Sequence, residues 1–412
     1  MVAQTRAGNT SPKRLSFNEK IVGKGLATDA LLKKLKALHT ELAELDQELV
    51  DVNSLSSVRT QLVNTSILLH KDRGVKAYAA CCLADILRLY APDAPYTHTE
   101  LRDIFQFFFR QLSAGLKGAD ASYYNEYFHL LESLSTVKSV VLVCDLPHAE
   151  ELMVDIFRDF FGLVRRDLAK KIEIFIADIL IALIDECQAL PSEVLETIMA
   201  QFMANDAVCV TSHLIANVVD LALYQQPAYR LAVQVCNATA DKLQRHVCQY
   251  FTDIIVAHSQ DSDSESNFEE IRKAHELVKQ LSRSCPSLLH SVIPQLEEEL
   301  RVEEVQVRLI ATQALGEMFS EKGGSDLVKK YPTTWNVWLM RKNDKAAAVR
   351  LKLVESVKGL LVNLHDHRDS VNGQTSCHYH RIYAHTRQTC WSSSYSIPTR
   401  KCVQRFAKCI RS

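Results

Sequence analysis

The chain has 412 residues, of which 47% are hydrophobic, and its 48 Lys and Arg residues nearly balance 49 Asp and Glu residues. This apolar content excludes a disordered protein, and a net charge of −1 excludes a global field that would attract nucleic acid or an anionic membrane. Glycine occurs only 12 times, under half of its usual share of roughly 7%, which indicates long helices joined by short connections.

The first 26 residues are polar and show no hydrophobic periodicity, so we predict a disordered arm at residues 1–26. Pro12-Lys13-Arg14 is a candidate nuclear address, although short basic clusters more often belong to solvated tails. The arm lacks the apolar core of a secretory signal, and no apolar run along the chain reaches the roughly 18 residues of a membrane span. We therefore expect no membrane association.

From Thr28 onward, one amphipathic helical pattern follows another. Leucines recur every three or four residues from Leu31 to Leu49, with charged residues between them and Thr28 as the expected cap. A wide aromatic stripe over residues 101–112 and an apolar stripe over residues 172–187 mark two further helices. No convincing strand-like alternation separates the helical patterns, so we predict an all-α protein.

Three segments share a pattern that indicates an internal repeat. Val75-Lys76, Val307-Arg308 and Val349-Arg350 each follow a charged turn and precede small or aliphatic residues four and eight positions later. The last two segments lie 42 residues apart, inside the roughly 40–47 residue period of HEAT and armadillo repeats. We therefore predict an α-solenoid of this type over residues 27–365, built as a right-handed superhelix of antiparallel helix pairs.

The segment KDRGVKAYAACCLADILRLYAPDAPYT, residues 71–97, predicts a helix that ends in a proline-containing corner. Asp72 is placed to cap the helix. Because a residue before proline avoids the α region, Pro92 and Pro95 should hold the corner rigid and extended. A stiff loop that presents Asp93 and Tyr96 would cost little entropy to dock onto a partner.

This corner also carries a family resemblance. CCLADILRLYAPDAPYT, residues 81–97, resembles the hallmark of the precocious dissociation of sisters (Pds-five) family of cohesin-associated HEAT proteins. Residues 124–132, Val137-Lys138-Ser139 and residues 285–296 extend the resemblance over roughly residues 27–365. The resemblance implies that the chain is the N-terminal portion of a longer repeat array.

The resemblance further implies a non-catalytic scaffold that regulates sister chromatid cohesion in the nucleus and associates indirectly with chromatin. The implied partners are the kleisin subunit of cohesin, a Wapl-like releasing factor and a cohesin acetyltransferase. Short partner motifs would then dock at the corner, with apolar contacts from Tyr96 and the prolines and a charge-assisted contact from Asp93. The predicted partner-binding residues are Ala84, Arg88, Tyr90, Ala91, Pro92, Asp93, Ala94, Pro95 and Tyr96. An open alternative is that Pro95 and Tyr96 only seal the junction between two repeats.

No catalytic motif points to an enzyme. The sequence contains no phosphate-binding loop, no dinucleotide-binding glycine pattern, no His-Glu-x-x-His and no Gly-x-Ser-x-Gly. We therefore predict no catalysis, no cofactor and no metal site. A generic HEAT scaffold of another nuclear or cytoplasmic pathway is the alternative function.

Basic residues gather in two places that could bind phosphates or an acidic segment, or could simply be solvated helix ends. They are Arg165, Arg166, Lys170 and Lys171, followed by Arg341, Lys342, Lys345, Arg350 and Lys352. The resemblance also brings an inositol polyphosphate into consideration, since members of the family in animals hold one, but it assigns no ligand residues for it here.

The character of the sequence changes near residue 365. Cysteines in the tail are separated by 13, 12 and 7 residues, which matches no zinc knuckle, although a zinc site is the alternative interpretation. The residues concerned are Cys377, Cys390, Cys402 and Cys409. We expect residues 366–412 to be disordered or to derive from intron or frame-shifted translation.

Overall fold

The computed structural model describes residues 12–23, 25–118, 120–203, 226–260, 265–321 and 323–363. The predicted tail at residues 366–412 and its candidate zinc ligands lie outside these residues. The described residues form α-helices and short 3-10 turns, and their one β-type pairing is an isolated bridge between Lys13 and Val50. The prediction of an all-α fold is therefore confirmed.

The helices are short to medium in length and follow one another closely. In chain order they are α1 (Thr28–Glu44), α2 (Ser56–Leu62), α3 (Thr65–Leu68), α4 (Arg73–Tyr90), α5 (His98–Gly115), α6 (Tyr124–Val137), α7 (Ala149–Leu163), α8 (Lys170–Glu186), α9 (Ser192–Met203), α10 (Pro227–Ala238), α11 (Ala240–Gln260), α12 (Glu265–Ser284), α13 (Val292–Glu299), α14 (Val305–Ser320), α15 (Gly324–Lys330), α16 (Pro332–Met340) and α17 (Ala347–Asn363). The chain divides into two compact units, Met1–Thr239 and Ala240–Ser412.

The first unit stacks its helices in two layers. One layer places α1, α4, α6 and α8 side by side in that order, and the other places α5 beside α7 and α7 beside α9. Helix α10 packs against both α8 and α9. The alternation of helices between two layers is the arrangement of HEAT-type repeats, in which each helix pair buries its apolar face against the next pair.

The predicted apolar stripes form the core of this unit. Phe105, Phe108, Ile176 and Leu180 are fully buried, as expected for helices that contact neighbours on more than one side. Helix α4 is buried along nearly its whole length because its small residues let α1 and α6 approach on both sides. This central helix therefore fixes the position of the corner that follows it.

The N-terminal segment differs from the disordered arm predicted for residues 1–26. In its described part, the backbone N–H of Lys13 donates to Leu49 O at 2.7 Å, and Leu15 and Ile21 are buried. The few apolar residues of this polar segment are spaced irregularly and give no periodic signal, so the sequence could not show that Leu15 and Ile21 are buried against the rest of the chain. Residues 1–11 lie outside the described part of the chain.

The second unit repeats the layered plan. Helix α14 packs between α12 and α17, while α13 contacts α16 on the other side. Arg308 on α14 donates two hydrogen bonds of 3.0 Å to the Asp344 carboxylate, and both side chains are almost completely buried. Arg341 also donates to Asp344, at 3.1 Å. The Val307-Arg308 signature thus marks a position that ties one repeat to the next.

The helix ends show how well local signals predict boundaries. Asp72 caps α4 as predicted, because its carboxylate accepts from the backbone N–H of Val75 at 2.9 Å. Thr97 forms a capping box with Glu100 at the start of α5. The predicted cap at Thr28 is wrong, since Ala27 holds the cap position and makes no side-chain hydrogen bond.

Within the described residues, no single helix is both long and apolar enough to cross a bilayer. The pair Tyr124–Val137 and Ser139–Asp145 satisfies the length and composition criteria together, but the two segments are bent by 69° at the break between them.

Candidate functional site: the corner after helix α4

The predicted corner, residues 91–96, joins α4 to α5 through a turn rather than an extended run. The Ala91–Pro92 peptide bond is cis, and the chain turns at Pro92 and bends again before α5. Pro92 and Asp93 are exposed, whereas Ala91, Ala94 and Pro95 are half-buried. The part of the corner that a partner can reach therefore centres on Pro92 and Asp93.

Hydrogen bonds from the preceding repeat hold the corner backbone in place. The Gln47 side chain donates to Ala91 O at 2.6 Å, and the Arg59 guanidinium donates to Pro95 O. The Tyr90 hydroxyl donates to Val52 O at 3.0 Å. Because these anchors lie on both sides of Pro92 and Asp93, the exposed tip is held on a fixed base.

The structure corrects two of the predicted contact residues. Ala84 is 2% exposed and Tyr96 is 9% exposed, so neither side chain offers an apolar surface to a partner in this conformation. Burial strongly raises the pKa of Tyr96, and its hydroxyl has no hydrogen-bond partner among the described residues. Tyr96 thus seals the repeat junction, which was the alternative interpretation of this residue.

Arg88 also faces inward rather than toward a partner. Its guanidinium donates to Leu42 O at 2.9 Å and to Leu45 O at 3.0 Å, and it lies 3.5 Å from the Asp85 carboxylate. These acceptors lie at the C-terminal end of α1, where unpaired carbonyl groups carry partial negative charge. Arg88 therefore joins α4 to the end of α1, and its side chain is only 25% exposed.

Asp93 remains the chemically distinct group of the tip. It is exposed, and among the residues that the structure describes it forms no hydrogen bond and no ion pair. An exposed carboxylate on a fixed backbone can accept charge-assisted hydrogen bonds from an Arg or Lys of a partner segment. Little conformational entropy would be lost on binding because the backbone is already held.

The basic clusters are largely engaged within the chain. Lys170 lies 2.7 Å from Glu173, and Lys171 lies 3.0 Å from Glu132. In the second unit, Arg350 donates to Asp344 O at 2.6 Å, so its charge serves the helix connection. These contacts favour the interpretation of solvated, structurally paired helix ends.

Sequence reasoning missed a cluster of polar side chains that forms within the first unit. His39 on α1, Asp85 on α4 and His129 on α6 meet across three neighbouring helices. Burial alone would raise the pKa of Asp85, but its interactions with His129 and His39 lower it overall. The pKa of His129 is raised, chiefly by its interaction with Asp85. The signal that sequence reasoning missed is the spacing of these residues. Asp85 follows His39 by 46 residues and His129 follows Asp85 by 44 residues, and each spacing is about one repeat length.

Comparison with known proteins gives consistent matches. A family model described as "Sister chromatid cohesion protein PDS5 protein" matches residues 29–378, which extends beyond the change of character near residue 365. Sister chromatid cohesion protein pds5 of Schizosaccharomyces pombe is 40% identical over 354 residues, covering 85% of this chain and 28% of that protein. Human PDS5 homolog A is 30% identical over 82% of this chain and 24% of its own length.

A solved structure described as the "Pds5-Scc1 complex" is similar in fold as well as in sequence. It superposes with a TM-score of 0.79 at 29% identity, covering 97% of this chain and 57% of that chain. The chain spans only about a quarter of the length of the curated relatives named above.

Proposed function

Because this chain belongs to the PDS5 family of sister chromatid cohesion proteins, we propose that it is a non-catalytic, cohesin-associated scaffold. It regulates the establishment, maintenance and release of sister chromatid cohesion by binding cohesin together with regulatory factors. The observation that carries the proposal is the match, over nearly the whole chain, to a Pds5 protein solved in complex with Scc1. An all-α repeat array with exposed connecting corners suits such a role, since repeat proteins present extended binding surfaces.

The proposed partners fall into two groups. The first is the kleisin subunit of cohesin, in keeping with the Scc1 of the similar complex. The second comprises a Wapl-like releasing factor and a cohesin acetyltransferase, which act on cohesin at different stages. With these partners, the proposed location is the nucleus, where the protein would associate with chromatin through cohesin.

We assign the exposed corner tip a role in docking a short basic motif of such a regulatory partner. Pro92 provides an apolar contact and Asp93 provides the charge, while Gln47 and Arg59 keep the backbone in place. Tyr90, Ala91, Ala94 and Pro95 frame the tip. A charge-assisted hydrogen bond contributes about 1.5–3 kcal/mol, so loss of Asp93 should weaken binding about tenfold or more.

Co-precipitation from nuclear extract tests both statements separately. Purified chain should recover the kleisin subunit and the releasing factor, and the Asp93→Lys variant should recover at least about tenfold less of the partner that uses the tip. Asp326→Lys is the matched control, because the Asp326 side chain is 87% exposed in the second unit. If the unchanged chain recovers no cohesin, a scaffold of another pathway is favoured. If both variants recover every partner equally, the docking role of the corner is wrong.

A further inference from the structure

The cluster formed by His39, Asp85 and His129 has the composition of a metal site. Nδ1 of His39 lies 2.9 Å from Oδ2 of Asp85, and Nε2 of His129 lies 3.6 Å from Oδ1 of the same carboxylate. The two imidazole rings meet edge to face with their centroids 4.9 Å apart. One ligand atom from each residue lies within 4.8 Å of the other two, so three polar atoms converge on one point.

The distances agree with those around a small tetrahedral ion. Zinc binds imidazole nitrogen and carboxylate oxygen at about 2.0–2.2 Å, which places neighbouring ligand atoms roughly 3.3 Å apart. The His39 nitrogen lies 2.9 Å from Oδ2 of Asp85 and the His129 nitrogen lies 3.6 Å from Oδ1, so each imidazole is close to one oxygen of the shared carboxylate.

The burial and the hydrogen bonding of the three side chains also favour the binding of a cation. The Asp85 side chain is only 1% exposed, so its carboxylate is held away from bulk water and needs positive charge nearby. Nε2 of His129 is buried and has no hydrogen-bond partner among the described residues. The His39 and His129 side chains are 18% and 35% exposed, which leaves a path for the ion and for a water as fourth ligand.

We infer that His39, Asp85 and His129 bind a divalent transition-metal ion, with Zn²⁺ as the preferred ion. Two imidazoles with one carboxylate suit Zn²⁺ and Co²⁺, whereas Ca²⁺ and Mg²⁺ require oxygen ligands and Cu⁺ prefers sulfur. The ion would connect α1, α4 and α6, each of which supplies one ligand. The site is structural in character and needs no catalytic role.

Arg88 is a positively charged neighbour of the proposed ion, so it would repel the ion. It lies 3.5 Å from Oδ1 of Asp85, but its guanidinium also donates to Leu42 O and Leu45 O. These backbone acceptors would hold Arg88 in place when the ion binds the Asp85 carboxylate. The metal therefore adds a link between helices and leaves the link to the end of α1 intact.

Zinc titration of the 412-residue chain tests the inference. Chain stripped of metal with a chelator is titrated with Zn²⁺ alone by isothermal calorimetry, and the His129→Gln variant should bind one Zn²⁺ fewer per chain. His246→Gln is the matched control, because this half-buried histidine of α11 lies outside the cluster and forms a hydrogen bond with the Lys242 carbonyl at 3.1 Å. A Cys377→Ser, Cys390→Ser double variant removes candidate ligands of the tail and should leave this zinc bound.

Cobalt gives a second readout that does not depend on any variant. Co²⁺ bound by two nitrogens and an oxygen should show tetrahedral d–d absorption without a thiolate charge-transfer band. Circular dichroism verifies that His129→Gln remains folded. Equal zinc stoichiometry in the unchanged chain and in folded His129→Gln, or cobalt bound only through thiolates, would overturn the inference.

Discussion

The buried pair of His275 and Glu299 gives the sharpest stability prediction. Nε2 of His275 lies 2.6 Å from the Glu299 carboxylate, and Nδ1 lies 2.7 Å from Ile271 O. Both side chains are almost completely buried, with exposed fractions of 4% and 5%. Because the ring has an acceptor at each nitrogen, it is held as an imidazolium that donates twice. The pair links α12 to α13 within the second unit.

The perturbation is His275→Leu, which keeps similar volume but leaves the Glu299 carboxylate buried and unpaired. Breaking a buried ion pair from one side costs about 3–5 kcal/mol, whereas replacing both partners by apolar residues is often nearly neutral. The single variant should therefore lose about 3 kcal/mol or more of local stability. The double variant His275→Leu, Glu299→Leu should recover most of that loss. Arg301→Ala is the control, because it removes a 46% exposed partner worth less than about 1 kcal/mol.

The pH dependence of the pair follows from the pKa of His275. Burial lowers this pKa, but the Glu299 charge and the hydrogen bonds outweigh burial, so it lies above the ordinary value of 6.5 in the folded chain. A raised folded pKa means that the stabilisation is fully present below about pH 6.5 and is lost as pH rises through the folded value. The contribution of His275 to the slope should not exceed about 1.4 kcal/mol per pH unit, and it should be absent in the double variant His275→Leu, Glu299→Leu, which lacks both titrating groups.

Hydrogen exchange measured by mass spectrometry is the suitable assay, because the chain has two units and need not unfold in one step. Peptides from α12 and α13 should exchange about a hundredfold faster in His275→Leu than in the unchanged chain, after correction for intrinsic rates. The exchange rate of the double variant should lie between the rates of the single variant and the unchanged chain. Equal protection in the single variant and the unchanged chain, or a double variant as unstable as the single one, would refute the reasoning.

Three further predictions concern helix ends, repeat junctions and thiols. Asp72→Ala should lower the local stability of α4 by about 1 kcal/mol, measured by hydrogen exchange of α4 peptides, because it removes the cap of α4, whereas Asp72→Asn should retain most of that stability. Arg308→Met should speed hydrogen exchange in α14 by about a hundredfold, since it leaves Asp344 buried without its bidentate partner; an unchanged rate would contradict this. Burial raises the pKa of the Cys81 and Cys82 thiols well above the usual range, so neither should react with iodoacetamide until the chain is denatured; labelling of the folded protein at pH 8 would show otherwise.

The fold could be predicted from the sequence because the patterns that indicate its helices and repeats are local or periodic. The apolar stripe of α8 and the Asp72 cap depend only on residues within the same helix. The Val307-Arg308 and Val349-Arg350 signatures gave the repeat length, and length alone is enough to predict stacking of neighbours. These features do not require knowledge of which side chains meet across helices.

The candidate site could be predicted only in part, because its details depend on contacts between helices. The sequence predicted that Pro92 and Asp93 form an exposed corner, but it could not show that Arg88 turns back to the carbonyl groups of α1 or that Tyr96 is buried. The meeting of His39 with His129 likewise depends on the stacking register of three helices. Single-sequence patterns give helix faces, and the register of the stack then decides which residues on those faces touch.

The most direct test of the central claim measures partner recovery by the chain itself. Immobilised chain is incubated with nuclear extract, and the kleisin subunit and releasing factor are quantified for the unchanged chain, Asp93→Lys and the control Asp326→Lys. The account predicts recovery of cohesin by the unchanged chain and a loss of about tenfold or more of the tip-binding partner in Asp93→Lys only. Absence of cohesin in every sample would contradict the proposed scaffold function, and equal recovery by all three proteins would contradict the role of the corner.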